Sequence, residues 1–557
     1  MHMIAEPETP PAFAPYAILA KQLMSGDEAV AWAALDAGIC YASTYPGTPT
    51  TDIQEFLEKY ATEQTRIVWS INEKVAYESA LAVAIAGQRA MVSMKQVGLN
   101  VAADAFINSC TAGVVAGLVL VVGDDPECHS SSHKQDTRMY RPIAGTMLLE
   151  PADSQEAYEM TREAFRLSER FRLPIIIRLT MRTAYGSTSV KRTRADLRKL
   201  DFHWPKEPNR FFTIPTLSRS LFTRMAGIQQ ELADTIAFSQ FTLRTNSETT
   251  PGTRLGIITT GIGYMFACEM APPDAGVLKI AGDPYPDAHL RSFIRAHDRI
   301  AVLEEGDPIL ESRVRALAPH GMPVTGRISG SLKQVGELQP LQVTSLLNGS
   351  AAVPSREMEM GLPARIPEIC KPCGYHKVFG ALKEIANIAT PSDIGCNTLG
   401  GLPPYSVMDG MWAMGSSIGV ACGLAAIGHK RIVAIIGDST FFHAGIPPLI
   451  EAVHEGYTMT VLLLDNGTAA MTGGQGVAHR KSKLIQNTLD LVRLIEALGV
   501  TYCTPFDPHK LGQSGIRGLV EKSFSDSGVK VLLYRSQCGI FSPGYFTEAP
   551  FALPKKE

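Results

Sequence analysis

Apolar and polar positions along the chain fall into two recurring patterns. Short runs of branched apolar residues at 89–94, 117–122 and 173–179 read as strands. Stretches with helical spacing at 26–37 and 152–167 read as helices between them. Strands alternating with helices imply βαβ units around a parallel sheet, with Gly and Pro marking strand ends, as in YPGTPTT at 45–51. The alternation resumes on a smaller scale from LGIITTGIGY at 255–264, with a strand at 300–303, and again with strands at 432–436, 459–464 and 529–534. GSSIGVACGLAAIG at 415–428 reads as a helix whose small residues form the packing face.

Between these blocks the pattern lapses. The expected order is a disordered leader (1–15), an α/β domain (16–190) and a connector with a helix near 217–239 (191–253). A smaller α/β domain (254–340), a linker (341–367), a third α/β domain (368–545) and a tail (546–557) follow. The leader, MHMIAEPETPPAF, carries Pro and Glu where a signal peptide needs an apolar core.

Composition narrows the class. With 557 residues, 45% hydrophobic and 19% charged, the chain has the profile of a multidomain globular protein. A formal net charge of -3 argues against nucleic-acid and anionic-membrane partners, which favour basic surfaces. Apolar stretches such as 113–123 are too short to span a bilayer. Ten cysteines are too few for a disulfide scaffold and read as cytoplasmic thiols.

Three groups of residues carry candidate chemistry. IIGDSTFFHAG at 435–445 and LLLDNGTAAMTGGQ at 462–475 are both apolar strands ending in an acidic turn. Neighbouring strand ends in a parallel sheet would bring Asp438 and Asn466 to the carboxyl edge, where ligands bind. Oxygen ligands there suit Mg²⁺ bridging to a diphosphate, and Gly437 permits close backbone approach. Each turn alone would be an ordinary βα turn; the ordered pair favours a cofactor. Glu73 lies at the strand-to-helix junction of WSINEKVAYESALAVAIAG, where by itself it reads as an acid favoured by the helix dipole. Cys370 and Cys373 form a C-x-x-C turn, with Cys396 in SDIGCNTLGG and Cys538 in YRSQCGIF. Four thiolates suit an iron–sulfur cluster; zinc and metal-free thiols remain open. Cys40, Cys110, Cys128, Cys268, Cys422 and Cys503 read as packing residues.

Together with MKQVGLNVAAD at 94–104 and GDDPECHSSSHKQDTR at 123–138, these motifs make the chain resemble alpha subunits of the indolepyruvate type in the 2-oxoacid:ferredoxin oxidoreductase superfamily. The resemblance implies a multidomain α/β thiamine-diphosphate fold. In it, 16–190 binds the pyrimidine, 254–340 is transketolase C-terminal-like, and 368–545 binds diphosphate and Mg²⁺. It implies Asp438 and Asn466 as side-chain ligands and Thr468 as a backbone ligand of Mg²⁺. Gly437 and Ser439 would bind the cofactor, and Gly415, Ser416 and Ser417 would line its site. Glu73 would be the carboxylate against the aminopyrimidine and Thr48 would face cofactor and substrate, with Lys95, Asn100 and His129 as lesser pocket candidates. Cys370, Cys373, Cys396 and Cys538 would hold one 4Fe–4S cluster. Coenzyme A as co-substrate, ferredoxin as acceptor, a beta subunit and an alpha2beta2 assembly follow from the same resemblance. Two departures stand out: CKPCGYHK replaces C-P-G-C-P-H-R, leaving His376 without a clear role, and the close-packed cysteines of a C-terminal ferredoxin-like domain are missing. A non-redox thiamine-dependent decarboxylase or carboligase would need none of the four cysteines. A non-catalytic assembly subunit would need no intact cofactor motif.

Overall fold

The computed structural model describes residues 21–193, 202–211, 213–245, 254–349, 367–480 and 488–541. The expected leader, the tail and most of the second linker lie outside them. The chain divides into two units, Met1–Glu359 and Met360–Glu557.

In the first unit, seven strands form one sheet in the order Gly282–Asp283, Met147–Leu149, Ile175–Thr180, Leu118–Asp124, Ala90–Lys95, Tyr41–Thr44, Arg66–Trp69. All neighbours run parallel except the edge strand Gly282–Asp283. Leu118–Asp124 is buried along its whole length. Its alternate residues serve two cores: Val119 and Val121 on one face, Leu118, Leu120 and Val122 on the other. Burial on both faces is why these strands read as unbroken apolar runs. Polar side chains start the helices that follow. Ser25 caps Gly26–Asp36, Asn72 caps Glu73–Ile85 and Asp153 caps Ser154–Phe171, each accepting a backbone N–H three residues on.

A second sheet of the same unit has the order Val324–Thr325, Arg299–Leu303, Leu255–Thr260, Gly276–Ile280, Leu243–Arg244, parallel except at Leu243–Arg244. The connector region contributes helices Pro215–Gly227 and Gln229–Ala237. The start of the expected second linker is helical, over Pro340–Leu347, because Val343, Leu346 and Leu347 join the apolar cluster of Leu255, Ile257 and Leu303.

The second unit is a six-stranded parallel sheet in the order Gly410–Met411, Pro391–Ser392, Val433–Gly437, Met459–Asp465, Val529–Arg535, Tyr502–Phe506. Val461 and Leu463 face one core, Leu462 and Leu464 the other. The helix expected at 415–428 spans Ser416–Ala426, but its packing face is not glycine. Ser417, Ile418, Ala421 and Cys422 are buried, while Gly419 and Gly423 are exposed and a Cβ on either would touch nothing. The packing face is thus made of small residues, as expected, but of Ser417, Ala421 and Cys422 beside Ile418 rather than of glycine, because the layer needs side-chain volume.

No helix among the described residues is long and apolar enough to cross a membrane.

Candidate functional site

The second unit brings most of the candidate residues to one edge of its sheet. Val433–Gly437 and Met459–Asp465 are paired neighbours, with Gly437 opposite Leu464. Asp438 and Asn466 therefore leave adjacent strands side by side. Asp438 accepts the N–H of Ser439 at 2.8 Å and, across the gap, that of Gly467 at 3.0 Å. Asn466 Oδ1 accepts the Thr468 N–H at 3.0 Å. Beneath them lies Asp465, which accepts from His479 Nε2 at 2.9 Å and Arg480 Nη2 at 3.0 Å. Burial pushes the Asp438 carboxyl up to about 7, with Asp465 adding to the shift and His479 opposing it. Burial acts against Asp465 too, but His479, Arg480 and Arg535 hold it down to about 2. Ligand atoms of Asp438, Asp465 and His479 lie within 4.8 Å of one another. A buried carboxylate so short of positive charge, with a turn of oxygen donors beside it, fits a hard divalent cation.

Gly415 precedes the helix Ser416–Ala426 at φ +87°, and a Cβ there would lie 2.6 Å from the Ala444 carbonyl oxygen. Glycine is what allows this approach. Ser416 Oγ accepts the Ala413 N–H at 3.1 Å, while the Ser417 hydroxyl donates to Asp393. Asp393 is itself pushed up to about 6 by burial. Gly437 faces open space, with Asn397 Oδ1 at 3.8 Å the one neighbour a Cβ would meet.

The four cysteines gather at the same edge. The Cys370–Cys373 turn is closed by the Cys373 N–H on the Cys370 carbonyl at 2.9 Å. His376 shapes it, with Nε2 3.1 Å from the Cys370 carbonyl oxygen and Nδ1 2.6 Å from the Tyr405 hydroxyl. The Cys538 N–H donates to the Asn466 carbonyl at 3.1 Å, and a Cβ on Gly539 would sit 3.1 Å from Pro372. Asn466 Nδ2 also donates to the hydroxyl of Tyr375, two residues beyond the C-x-x-C turn, at 3.2 Å. All four thiols are free. Burial pushes Cys396 up to about 12, and Cys373, Cys538 and Cys370 each add to the shift. Burial likewise pushes Cys373 up to about 11, with Cys370 and Cys538 contributing. Thiols that raise one another in this way need a cation to become thiolates together, and that donor set fits an iron–sulfur cluster.

The first unit assembles its own candidates. Glu73, buried to 6% exposure, opens its helix after the Asn72 cap, whose Oδ1 accepts the Val75 N–H at 2.9 Å. Its carboxyl packs on Gly98 in the first turn of Gln96–Ala112, so closely that a Cβ there would lie 2.5 Å from Glu73 Oε1. Thr48 follows the strand Tyr41–Thr44 in the turn that continues into Thr51–Tyr60. Lys95 ends its strand with Nζ on the Ser130 carbonyl at 2.9 Å and hydroxyl at 2.8 Å, and 4.0 Å from Asp125. Burial lowers it to about 8 although Asp125 acts to raise it. Asp125 organises the following loop by accepting the N–H groups of His129 and Ser130 and the Ser131 hydroxyl. Asn100 is exposed and bonds Gln135 at 2.9 Å; His129 Nε2 lies 3.3 Å from Glu337. Both carry structural contacts.

Two family models match the chain. One, described as "Thiamine pyrophosphate enzyme, C-terminal TPP binding domain", covers residues 393–529. The other, "Pyruvate flavodoxin/ferredoxin oxidoreductase, thiamine diP-bdg", covers residues 32–210. Indolepyruvate oxidoreductase subunit IorA of Methanothermobacter thermautotrophicus is 35% identical over 555 residues, covering 96% of this chain and 89% of the relative. The chain belongs to the indolepyruvate oxidoreductase subunit IorA family. The IorA protein of Archaeoglobus fulgidus is 32% identical over 552 residues, covering 93% of this chain and 87% of its own. A 2-oxoglutarate:ferredoxin oxidoreductase from Magnetococcus marinus superposes with a TM-score of 0.49 at 15% identity, over 59% of this chain and 65% of that one. As an IorA-family member the chain is a subunit of a thiamine-diphosphate-dependent 2-oxoacid oxidoreductase.

Sequence reasoning missed several site residues in this IorA-family chain. His479 and Arg480, in GVAHRKS, reach Asp465 from beyond the turn. Asp393 and Asn397 come from a short strand and its following turn, with no motif of their own. The DN dipeptide did hold a signal for Asp465, since it continues the strand whose end was already singled out.

Proposed function

We propose that the chain is the alpha subunit that decarboxylates a 2-oxo acid of the aryl, indolepyruvate type. The carrying observation is that Cys538 and Tyr375 are both tied to Asn466, which supports reading the cysteine-bearing turns and the Asp438–Asn466 edge as one site. The names of the relatives support the substrate class. When bound, thiamine diphosphate supplies stabilisation of the carbanion left by CO₂ loss, and a 4Fe–4S cluster supplies one-electron acceptance.

The chain's own residues do the rest. Asp438 and Asn466 side chains and the Thr468 carbonyl hold Mg²⁺, with Ser439 and Gly437 beside the diphosphate. Gly415, Ser416 and Ser417 line the cofactor. The Glu73 carboxyl holds and moves a proton at the aminopyrimidine, and Thr48 orients the substrate. Cys370, Cys373, Cys396 and Cys538 hold the cluster. Ferredoxin takes the electrons and coenzyme A the acyl group. A beta subunit completes an alpha2beta2 enzyme in the cytoplasm.

The test is iron and turnover together. Purified anaerobically with its beta subunit, the protein should carry about four irons per alpha chain, as one such cluster requires. It should also reduce ferredoxin with indolepyruvate in preference to small aliphatic 2-oxo acids. Cys396→Ser should lose the iron and the electron transfer but keep thiamine diphosphate. Turnover without iron would instead make the chain a non-redox decarboxylase.

A further inference from the structure

A separate feature of the first unit lies among buried charges between its two sheets. Arg178 binds Asp124 and Glu150, both at 2.6 Å. Arg138 binds Asp136 and Glu304, both at 2.6 Å. Arg182 reaches Glu305 at 3.4 Å and Glu337 at 2.9 Å. Arg327 donates to the carbonyls of Glu304, Lys333 and Gly336. Six carboxylates thus share four guanidinium groups, and the carboxylates are all buried. Counted as ionised, the carboxylates outnumber these guanidinium groups by two, with His129 3.3 Å from Glu337 beside them, in an interior where an unbalanced charge costs several kcal/mol.

The surplus has a location. A cavity of about 10 Å³ is lined by, among others, Glu150, Arg178, Thr180, Thr260, Gly261 and Glu305. That is room for one water-sized sphere. Three oxygens on this lining have no hydrogen-bond partner in the protein: Glu150 Oε1, Glu305 Oε2 and Thr260 Oγ1. Their residues are 2%, 3% and 2% exposed. In both glutamates the other oxygen is spent, Glu150 Oε2 on Arg178 and Glu305 Oε1 on the Leu338 N–H. Burial pushes Glu305 above the usual carboxylate range, against the pull of Arg182.

We propose that this cavity is a binding site for a single hard metal cation with oxygen ligands, bridging Glu150 and Glu305 with Thr260. A water could satisfy the three oxygens, but it would leave the charge surplus untouched; a cation does both. Glu150 follows the strand Met147–Leu149 of the first sheet. Thr260 ends the strand Leu255–Thr260 of the second, and Glu305 follows Arg299–Leu303 there. The ion would therefore fasten the two sheets of this unit to each other. The site is distinct from the Asp438 turn and independent of the reaction proposed above.

The test uses the full chain carrying Asp438→Ala, which silences the ion-binding turn of the second unit. It is stripped with chelator, kept free of thiamine and titrated with Mg²⁺, Ca²⁺ or K⁺. One of these should bind at one ion per chain and raise the unfolding midpoint saturably by roughly 2–4 °C. Adding Glu150→Gln and Glu305→Gln should abolish that rise. In chelator it should leave the protein at least as stable as its parent, because the surplus charge is gone. Thr260→Val should weaken binding by about tenfold, one ligand's worth, with charge unchanged. No response to any of the three ions would overturn the proposal in favour of a buried water. A response that survives the glutamine pair would overturn it equally.

Discussion

Replacing Gly98 with alanine tests the placement of the Glu73 carboxyl without touching its chemistry. The new Cβ would lie 2.5 Å from Oε1, 2.6 Å from Cγ and 2.9 Å from Cδ of Glu73. Restoring ordinary contact requires the carboxyl to retreat by about 1 Å, a misplacement on the order of 10²-fold in rate if Glu73, as proposed, must meet a reacting atom. That is about 2.7 kcal/mol of barrier. Stability should move little, because alanine inside the helix gains about 1 kcal/mol over glycine and offsets part of the overlap. The assay pairs steady-state anaerobic dye reduction by indolepyruvate with thermal unfolding, on the alpha and beta subunits together. The expected result is a kcat lowered about 10²-fold with the unfolding midpoint within a few degrees of wild type. A Gly98→Ala enzyme with full kcat would refute the reasoning, because Glu73 would then not need its observed position.

Asp438→Ala and Asn466→Ala should each abolish Mg²⁺-dependent thiamine diphosphate binding by calorimetry, and unchanged affinity in both would remove them from the ion site. Glu73→Gln should keep cofactor affinity but lose at least about 10²-fold in turnover, the range of general acid–base contributions; near-normal exchange of the cofactor's C2 proton would contradict its role. Lys95, lowered to about 8 by burial, binds its proton less readily folded than unfolded. Between about pH 8 and the ordinary lysine value the unfolded chain therefore holds more protons, and this residue makes stability rise with pH. Lys95→Met should flatten that rise in denaturant titrations, and an unaltered slope would mean the amine is not so perturbed.

The parts of the site legible in sequence are those whose residues lie close together in the chain. GDST and DNGT each put a candidate ligand directly after a strand, and parallel pairing of the two strands brings the two side by side. The C-x-x-C turn is local in the same way, and Glu73 was read from its strand-to-helix junction and the family resemblance. Cys396 and Cys538 were assigned together with that turn through the family resemblance. Illegible were contacts between segments with no spacing to read. Arg138 meets Glu304 across 166 positions, and nothing near either residue foretells the other. The helix Ser416–Ala426 does pack small residues inward, through Ser417, Ala421 and Cys422, but periodicity could not show that Gly419 and Gly423 would face outward. The linker expected from residue 341 onward hid a helix because Val343, Leu346 and Leu347 are too few to reveal a period without the sheet they cover.

The bond from the Cys538 N–H to the Asn466 carbonyl, with Tyr375 holding the same asparagine, would make the two proposed binding events share one turn. Sharing is reciprocal: whatever free energy metal occupancy of the thiols lends to the cofactor, the cofactor returns to the metal. An enzyme emptied of thiamine diphosphate should shed iron to a chelator sooner than a filled one. An enzyme stripped of iron should still bind its cofactor but release it sooner.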